Sequence, residues 1–144
     1  IVPNAVVLKN EEEILKALSN EESELKSTVI LEEMPSGNLK NNGYFQEALI
    51  NYYSPHKITI NTNLNYSGFL ILSETWYPGW KAYDNGKETK IYRADYVLRA
   101  VYLDEGVHNV DFVFEPNSLR IGFLITLNKI SELSAARILY LSNN

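Results

Sequence analysis

The chain has 144 residues, of which 45% are hydrophobic and 22% charged, with no cysteine and a formal net charge of −5. That length suits one domain, able to bury roughly 68–70% of its unfolded surface. The missing thiols exclude disulfides, thiolate metal ligands and cysteine catalysis, and no basic face accumulates that could hold nucleic acid.

The acidity is local. Residues 1–33 carry eight Glu against three Lys, and beyond them ten acids balance ten bases. Ala5–Leu8 reads as a short strand. Asn10 is placed to N-cap a helix whose first turn holds Glu11, Glu12 and Glu13, where the helix dipole favours acids. Ile14, Leu15, Leu18 and Leu25 form its apolar face, so the Glu-rich block is its solvated side. Ser27–Leu31 returns as a strand. Residues 1–43 are thus expected to be a strand–helix–strand unit, closed by the turn-rich stretches Pro35-Ser36-Gly37-Asn38 and Lys40-Asn41-Asn42-Gly43.

From residue 44 the period changes from helical to alternating. Expected strands are Gln46–Tyr53, Lys57–Asn63, Gly68–Ser73, Lys81–Tyr83, Glu88–Tyr92, Tyr96–Leu103, His108–Phe114 and Leu119–Leu127. Ser54-Pro55, Asn65, Pro78-Gly79, Asn85-Gly86, Asp104-Glu105-Gly106 and Pro116-Asn117 supply the turns. Short alternating strands at that spacing predict a mainly β (α+β) fold: an antiparallel β-sandwich over 44–127, with a jelly-roll variant left open. Residues 128–144 are a terminal helix (Lys129–Leu141) or a tail. The apolar run Ile121–Leu127 is seven residues long, against about 20 for a bilayer span. Ile1 in place of a starting Met reads as a piece cut from a longer protein.

The densest information lies between residues 66 and 116. Pro78 presets φ and Gly79 accepts positive φ, as a type II turn requires. Asn85 and Gly86 suit a type I′ hairpin. Pro78, Gly79, Trp80, Asn85 and Gly86 are therefore structural turn and corner residues, with Trp80 leading inward into the next strand. Trp76 and Tyr77, just before the corner, are candidates for a flat sugar-binding platform, with the carboxylates of Glu74 and Asp84 as hydroxyl partners. Arg99 falls on an otherwise apolar strand face. It needs a carboxylate (Asp95, Glu74 or Asp111) as a structural ion pair, or else it takes an anion-binding role toward a ligand. His56 and His108, the latter expected at a surface hairpin position, lack metal-ligand spacing. No G-x-S-x-G elbow or phosphate-cradling glycine loop appears. No catalytic set and no cofactor are expected.

The string Gly68-x-Leu70-x-Leu72-Ser73-x-Thr75-x-Tyr77-Pro78-Gly79-Trp80-Lys81-Ala82 closely resembles the C-terminal extracytoplasmic domain of the bacterial YfhO-type membrane proteins. The match continues through Gly86-Lys87, Ile91, Ala94, Leu98-Arg99-Ala100-Val101, Leu103, Gly106, His108, Val110, Phe112 and Glu115-Pro116. Asn85-Gly86 stands where the family usually has Asp-Gly, and no transmembrane helix follows Gly122 as it usually does there. The resemblance implies a soluble domain on the extracytoplasmic face of the bacterial cell membrane, attached to a membrane-embedded remainder. It also implies a parent similar to the glycosyltransferases that use lipid-linked sugars on cell-envelope polymers, with the catalytic carboxylates outside this chain. The domain would then contact cell-envelope glycan without catalysis. A structural or protein–protein interaction module with no ligand is the other expectation.

Overall fold

The computed structural model describes residues 1–19, 27–35 and 43–116. Its elements are β1 (Asn4–Val7), α1 (Glu11–Ser19), β2 (Thr28–Leu31), β3 (Leu49–Ser54), β4 (Lys57–Leu64), β5 (Gly68–Thr75), β6 (Trp80–Asp84), β7 (Lys87–Thr89), β8 (Ile91–Ala94), β9 (Leu98–Leu103) and β10 (Gly106–Phe114). The expected strand over 119–127 and the terminal helix lie outside the described residues.

The strands form two five-stranded sheets, in the orders β1-β2-β8-β9-β5 and β3-β4-β10-β6-β7. All pairings are antiparallel except β1 with β2. The architecture is the β-sandwich that the alternating pattern demands. Ile58 and Ile60 on β4, Leu70 and Leu72 on β5, Val101 and Leu103 on β9, and Val110 and Phe112 on β10 point between the sheets and form the main core. Their intervening neighbours on β4 and β10 are less buried, the period of two that a half-buried strand imposes. The first sheet is apolar on its outer face too, where Val29, Leu31, Phe69, Tyr92, Ala94 and Ala100 form a second cluster.

The N-terminal strand–helix–strand unit forms as expected. The Asn10 side chain accepts from the Glu12 N–H at 2.9 Å, which caps α1, and Ile14 is the residue the helix buries. The unit does not sit on the sandwich as a separate layer. Instead β1 and β2 extend the first sheet, tied in through Leu31↔Ala94 and the isolated bridge Val2↔Phe69. Residues Ile1–Phe114 accordingly pack as one compact unit.

Two expected boundaries shift for identifiable reasons. The single strand expected at Glu88–Tyr92 is two strands in different sheets: β7 pairs with β6, β8 pairs with β9, and Lys90 is the crossing point. The strand expected from Tyr96 begins at Leu98, because Asp95 (φ 46°) and Tyr96 (φ 70°) are both left-handed and make the β8–β9 turn. They lie in the three-residue loop 95–97 between the paired Ala94 and Leu98, in which the Val97 N–H donates to the Asp95 carbonyl at 2.9 Å. Asp tolerates positive φ, but a tyrosine there carries no such signal.

Candidate functional site

The corner between β5 and β6 is built as its residues require. Gly79 has φ 106°, a conformation that costs an L side chain strain. Asn85 at φ 49° and Gly86 at φ 81° make the β6–β7 hairpin tip. The Trp76 N–H donates to the Val97 carbonyl at 2.6 Å, fixing the start of the corner against the β8–β9 hairpin. Beyond that anchor the side chains turn outward: Trp76 is 38% exposed and Tyr77 63%. Trp80 turns the other way and packs partly buried against the inter-sheet core. The rings of Tyr77 and Trp80 both lean on Phe114, with centroids 6.3 and 5.5 Å away.

Between the corner and the β7–β8 crossing lies a cleft of about 270 Å³. One wall is Trp76, Tyr77 and Trp80, and the other is Glu88, Thr89 and Lys90, with Lys81 also lining it. Lys81 and Glu88 approach each other at 3.8 Å. Lys90 reaches Glu33 at 2.6 Å and lies 5.2 Å from the centre of the Tyr92 ring.

Arg99 lies beneath this corner. Its side chain is 1% exposed, and the guanidinium stacks 4.0 Å over the Trp80 ring with Phe112 at 5.8 Å. Nη2 donates to Glu74, whose other carboxylate oxygen accepts the Tyr53 hydroxyl. Burial pulls the guanidinium below its usual range, and the Glu74 carboxylate opposes that pull. The hydrogen bond to Glu74 raises the Tyr53 phenol above its ordinary value. Nε and Nη1 of Arg99 have no hydrogen-bond partner. Of the three carboxylates open to Arg99, the fold selects Glu74; Asp111 pairs with Lys57 and Thr59, and Asp95 accepts from the Ile30 N–H at 2.9 Å.

The expected ligand set therefore divides. Trp76 and Tyr77 line the cleft. Glu74 is engaged by Arg99 and Tyr53 and does not line the cleft. Arg99 is buried under Trp80 and does not line the cleft. Asp84 is not at the corner at all: it ends β6 about 13 Å along the strand from Trp80. Its carboxylate oxygens both lie 2.9 Å from His108 Nδ1, and His108 Nε2 lies 2.9 Å from the Asp104 carbonyl. His108 is 7% exposed, so its side chain points into the fold rather than sitting at a hairpin surface. Lys81 and Glu88 take the place of Glu74 and Asp84 as the polar groups beside the rings. Lys81 directly follows Trp80, and a β6–β7 hairpin with its tip at Asn85-Gly86 puts Glu88 near it; that much was available from spacing. Tyr53, 21 positions before Glu74, had no sequence signal.

Among the described residues no cluster of His, Asp and Glu could hold a metal ion, and no helix is long and apolar enough to cross a membrane. No curated protein and no solved structure matches this chain. The family model described as bacterial membrane protein YfhO matches residues 40–126, which is more than half of the chain and takes in the corner, the cleft and the β8–β9 hairpin. The chain belongs to the YfhO family of bacterial membrane proteins.

Proposed function

We propose that this domain is a non-catalytic, extracytoplasmic accessory module of a multi-pass membrane protein acting on lipid-linked sugars, and that the Trp76–Tyr77 corner contacts cell-envelope glycan. The observation that carries the reading is the pairing of two outward aromatic rings with a cleft flanked by Lys81 and Glu88. Flat rings suit the C–H faces of a pyranose, and an ammonium and a carboxylate beside them suit its hydroxyls. The corner is held by the Trp76–Val97 hydrogen bond and the packing on Phe114, so little ordering is needed on binding. The non-catalytic part of the reading rests on the engagement of Glu74 by Arg99 and Tyr53 and of Asp84 by His108. Neither carboxylate is left as an acid–base pair across the cleft.

Titration with cell-envelope oligosaccharides, followed by the fluorescence of the two tryptophans, tests the ligand. Trp76→Ala is expected to weaken binding about tenfold or more, the loss typical of a stacked aromatic contact, with an unchanged thermal midpoint. No response to any envelope glycan, or equal binding by Trp76→Ala, removes the sugar platform. The sidedness has its own test. The domain has no cysteine, so Val107→Cys at a 72% exposed position, placed in the intact protein with every cysteine outside this domain replaced, gives a single thiol for a membrane-impermeant maleimide. Labelling in intact cells is expected, and protection until lysis would put the domain on the other side.

A further inference from the structure

On the side of the sandwich away from the β7–β8 crossing, no strand among the described residues closes the gap between the two sheets. There the edge strands β3 and β5, one from each sheet, flank a groove of about 670 Å³ lined by Ile1, Ile50, Tyr53, Ile60, Leu70 and Leu72, among others. Ile50 and Tyr53 on its β3 side are 49% and 62% exposed, far more than strand residues facing a core.

The mouth of this groove already holds the start of a strand. Val2 exchanges both backbone hydrogen bonds with Phe69 of β5, at 2.9 and 2.8 Å. Ile1, the residue before it, makes its backbone bonds in the opposite direction: its carbonyl accepts from the Gln46 N–H at 3.1 Å, and its nitrogen donates to the Gln46 carbonyl. Alternate residues bonding to opposite sides is the signature of a strand lying between two others. In an antiparallel ladder the residues bonding to a given side recur every second position. With Phe69 facing Val2, the next outward-facing backbone on β5 is that of Ile71, and Ile71 and Ser73 line the groove. Among the described residues no strand pairs with β5 there except β9 on its far side.

We propose that the groove between β3 and β5 is a strand slot, occupied in the intact membrane protein by an extended segment of the membrane-embedded remainder. The segment runs antiparallel to β5, in line with Ile1–Val2, and bonds to the Ile71 backbone. Its inward side chains are apolar, meeting Ile50, Ile60, Leu70 and Leu72, and its outward ones face solvent. Added this way, the strand links one sheet edge to the other and covers the apolar strip of β3, an exposure that folded proteins ordinarily manage. The inference rests on the reading of this domain as part of a multi-pass membrane protein, but not on glycan binding.

Amide hydrogen exchange at Ile71 tests it, comparing residues 1–144 alone with the intact protein in detergent or nanodiscs. The Ile71 amide is expected to exchange freely in the shorter chain and at least roughly 100-fold more slowly in the intact protein, as when an edge strand becomes internal. Equal exchange in both overturns the slot. Protection that rises with concentration in residues 1–144 alone, together with dimer formation, also overturns it, because a second copy is then the occupant. Extraction of the intact protein by alkaline carbonate would instead sink the membrane-parent reading, an outcome separate from the exchange result.

Discussion

The two ends of β6 carry the same kind of pair, a carboxylate against a buried cation-forming side chain, and yet they differ in completeness. At the Asp84 end both ring nitrogens of His108 meet acceptors at 2.9 Å, and the tip beyond is tied by Asn85 to Asn109 and Val107. That network closes on itself. At the Trp80 end Arg99 bonds Glu74 through one nitrogen and leaves Nε and Nη1 unpaired, covered by aromatic faces in place of hydrogen bonds. Outside it, two further aromatic rings face solvent. The closed end also faces outward: Asn61, Asn85, His108 and Asn109 line a cavity of about 390 Å³ beside the exposed Val107 and Leu49, but with amides in place of flat rings. The end with exposed rings above a stacked cation is where the proposed glycan contact lies.

Breaking the Arg99 end should give the largest effect. Arg99→Ala removes the partner of Glu74 and empties the space over Trp80, and is expected to cost about 3–5 kcal/mol by denaturant unfolding. Arg99→Met keeps the volume and is expected to recover most of that loss. If it is as damaging as Arg99→Ala, then the charge matters more than the packing, and the contrast between the two ends weakens. At the closed end, His108→Ala leaves the Asp84 carboxylate without its partner. A loss of about 1–3 kcal/mol is expected, with no change in any glycan titration. A binding defect in that variant would mean that the two ends communicate.

Smaller effects sharpen the turn geometry on which both ends depend. Gly86 has φ 81°, and a Cβ there would meet nothing within 4 Å. Gly86→Ala therefore tests backbone strain alone, and about 1 kcal/mol is expected in thermal melts. The smallest change concerns Asp95. Burial raises its carboxyl above the ordinary aspartate range, and the hydrogen bond from the Ile30 N–H opposes that rise. A carboxyl whose folded pKa is raised contributes stability at low pH that is lost as pH climbs through that raised value. Asp95→Asn keeps an acceptor for Ile30 and tolerates positive φ. It is expected to match the parent protein below about pH 4 and to be more stable by up to about 1 kcal/mol at neutral pH. A variant that is less stable at pH 7 would show that the charge itself holds the β2–β8 seam.

Much of the fold was legible because the period of two is written along β4, β9 and β10. Val110, Phe112, Ile58 and Ile60 alternate cleanly, and turn residues bracket each strand. The apolar strand face on which Arg99 was expected is the core side of β9, shared with Val101 and Leu103, while Leu98, Ala100 and Tyr102 pack on the other side. The change of sheet at Lys90 was not legible, since a lysine between Thr89 and Ile91 carries no turn signal. The turn at Asp95-Tyr96 was missed because Asp95 is held by Ile30, its N–H donating to the Ile30 carbonyl and its carboxylate accepting from the Ile30 N–H, a contact 65 positions distant. For the corner, Trp76, Tyr77, Trp80, Pro78 and Gly79 followed from local chemistry. The partners of Glu74, Asp84 and Arg99 depended on which strands become neighbours, and spacing alone does not encode that.

The change of sheet at Lys90 has a mechanical consequence. Thr89 belongs to one sheet and Ile91 to the other, and two residue steps of fully extended chain reach only about 7 Å. The sandwich is therefore bound like a book, with its spine at Lys90 and its fore-edge at β3 and β5. At the spine, beside the aromatic cleft, the join is covalent. At the fore-edge the ties include the Tyr53–Glu74 hydrogen bond and the bonds of Ile1 and Val2 to Gln46 and Phe69, non-covalent contacts to which a further strand would add a clasp.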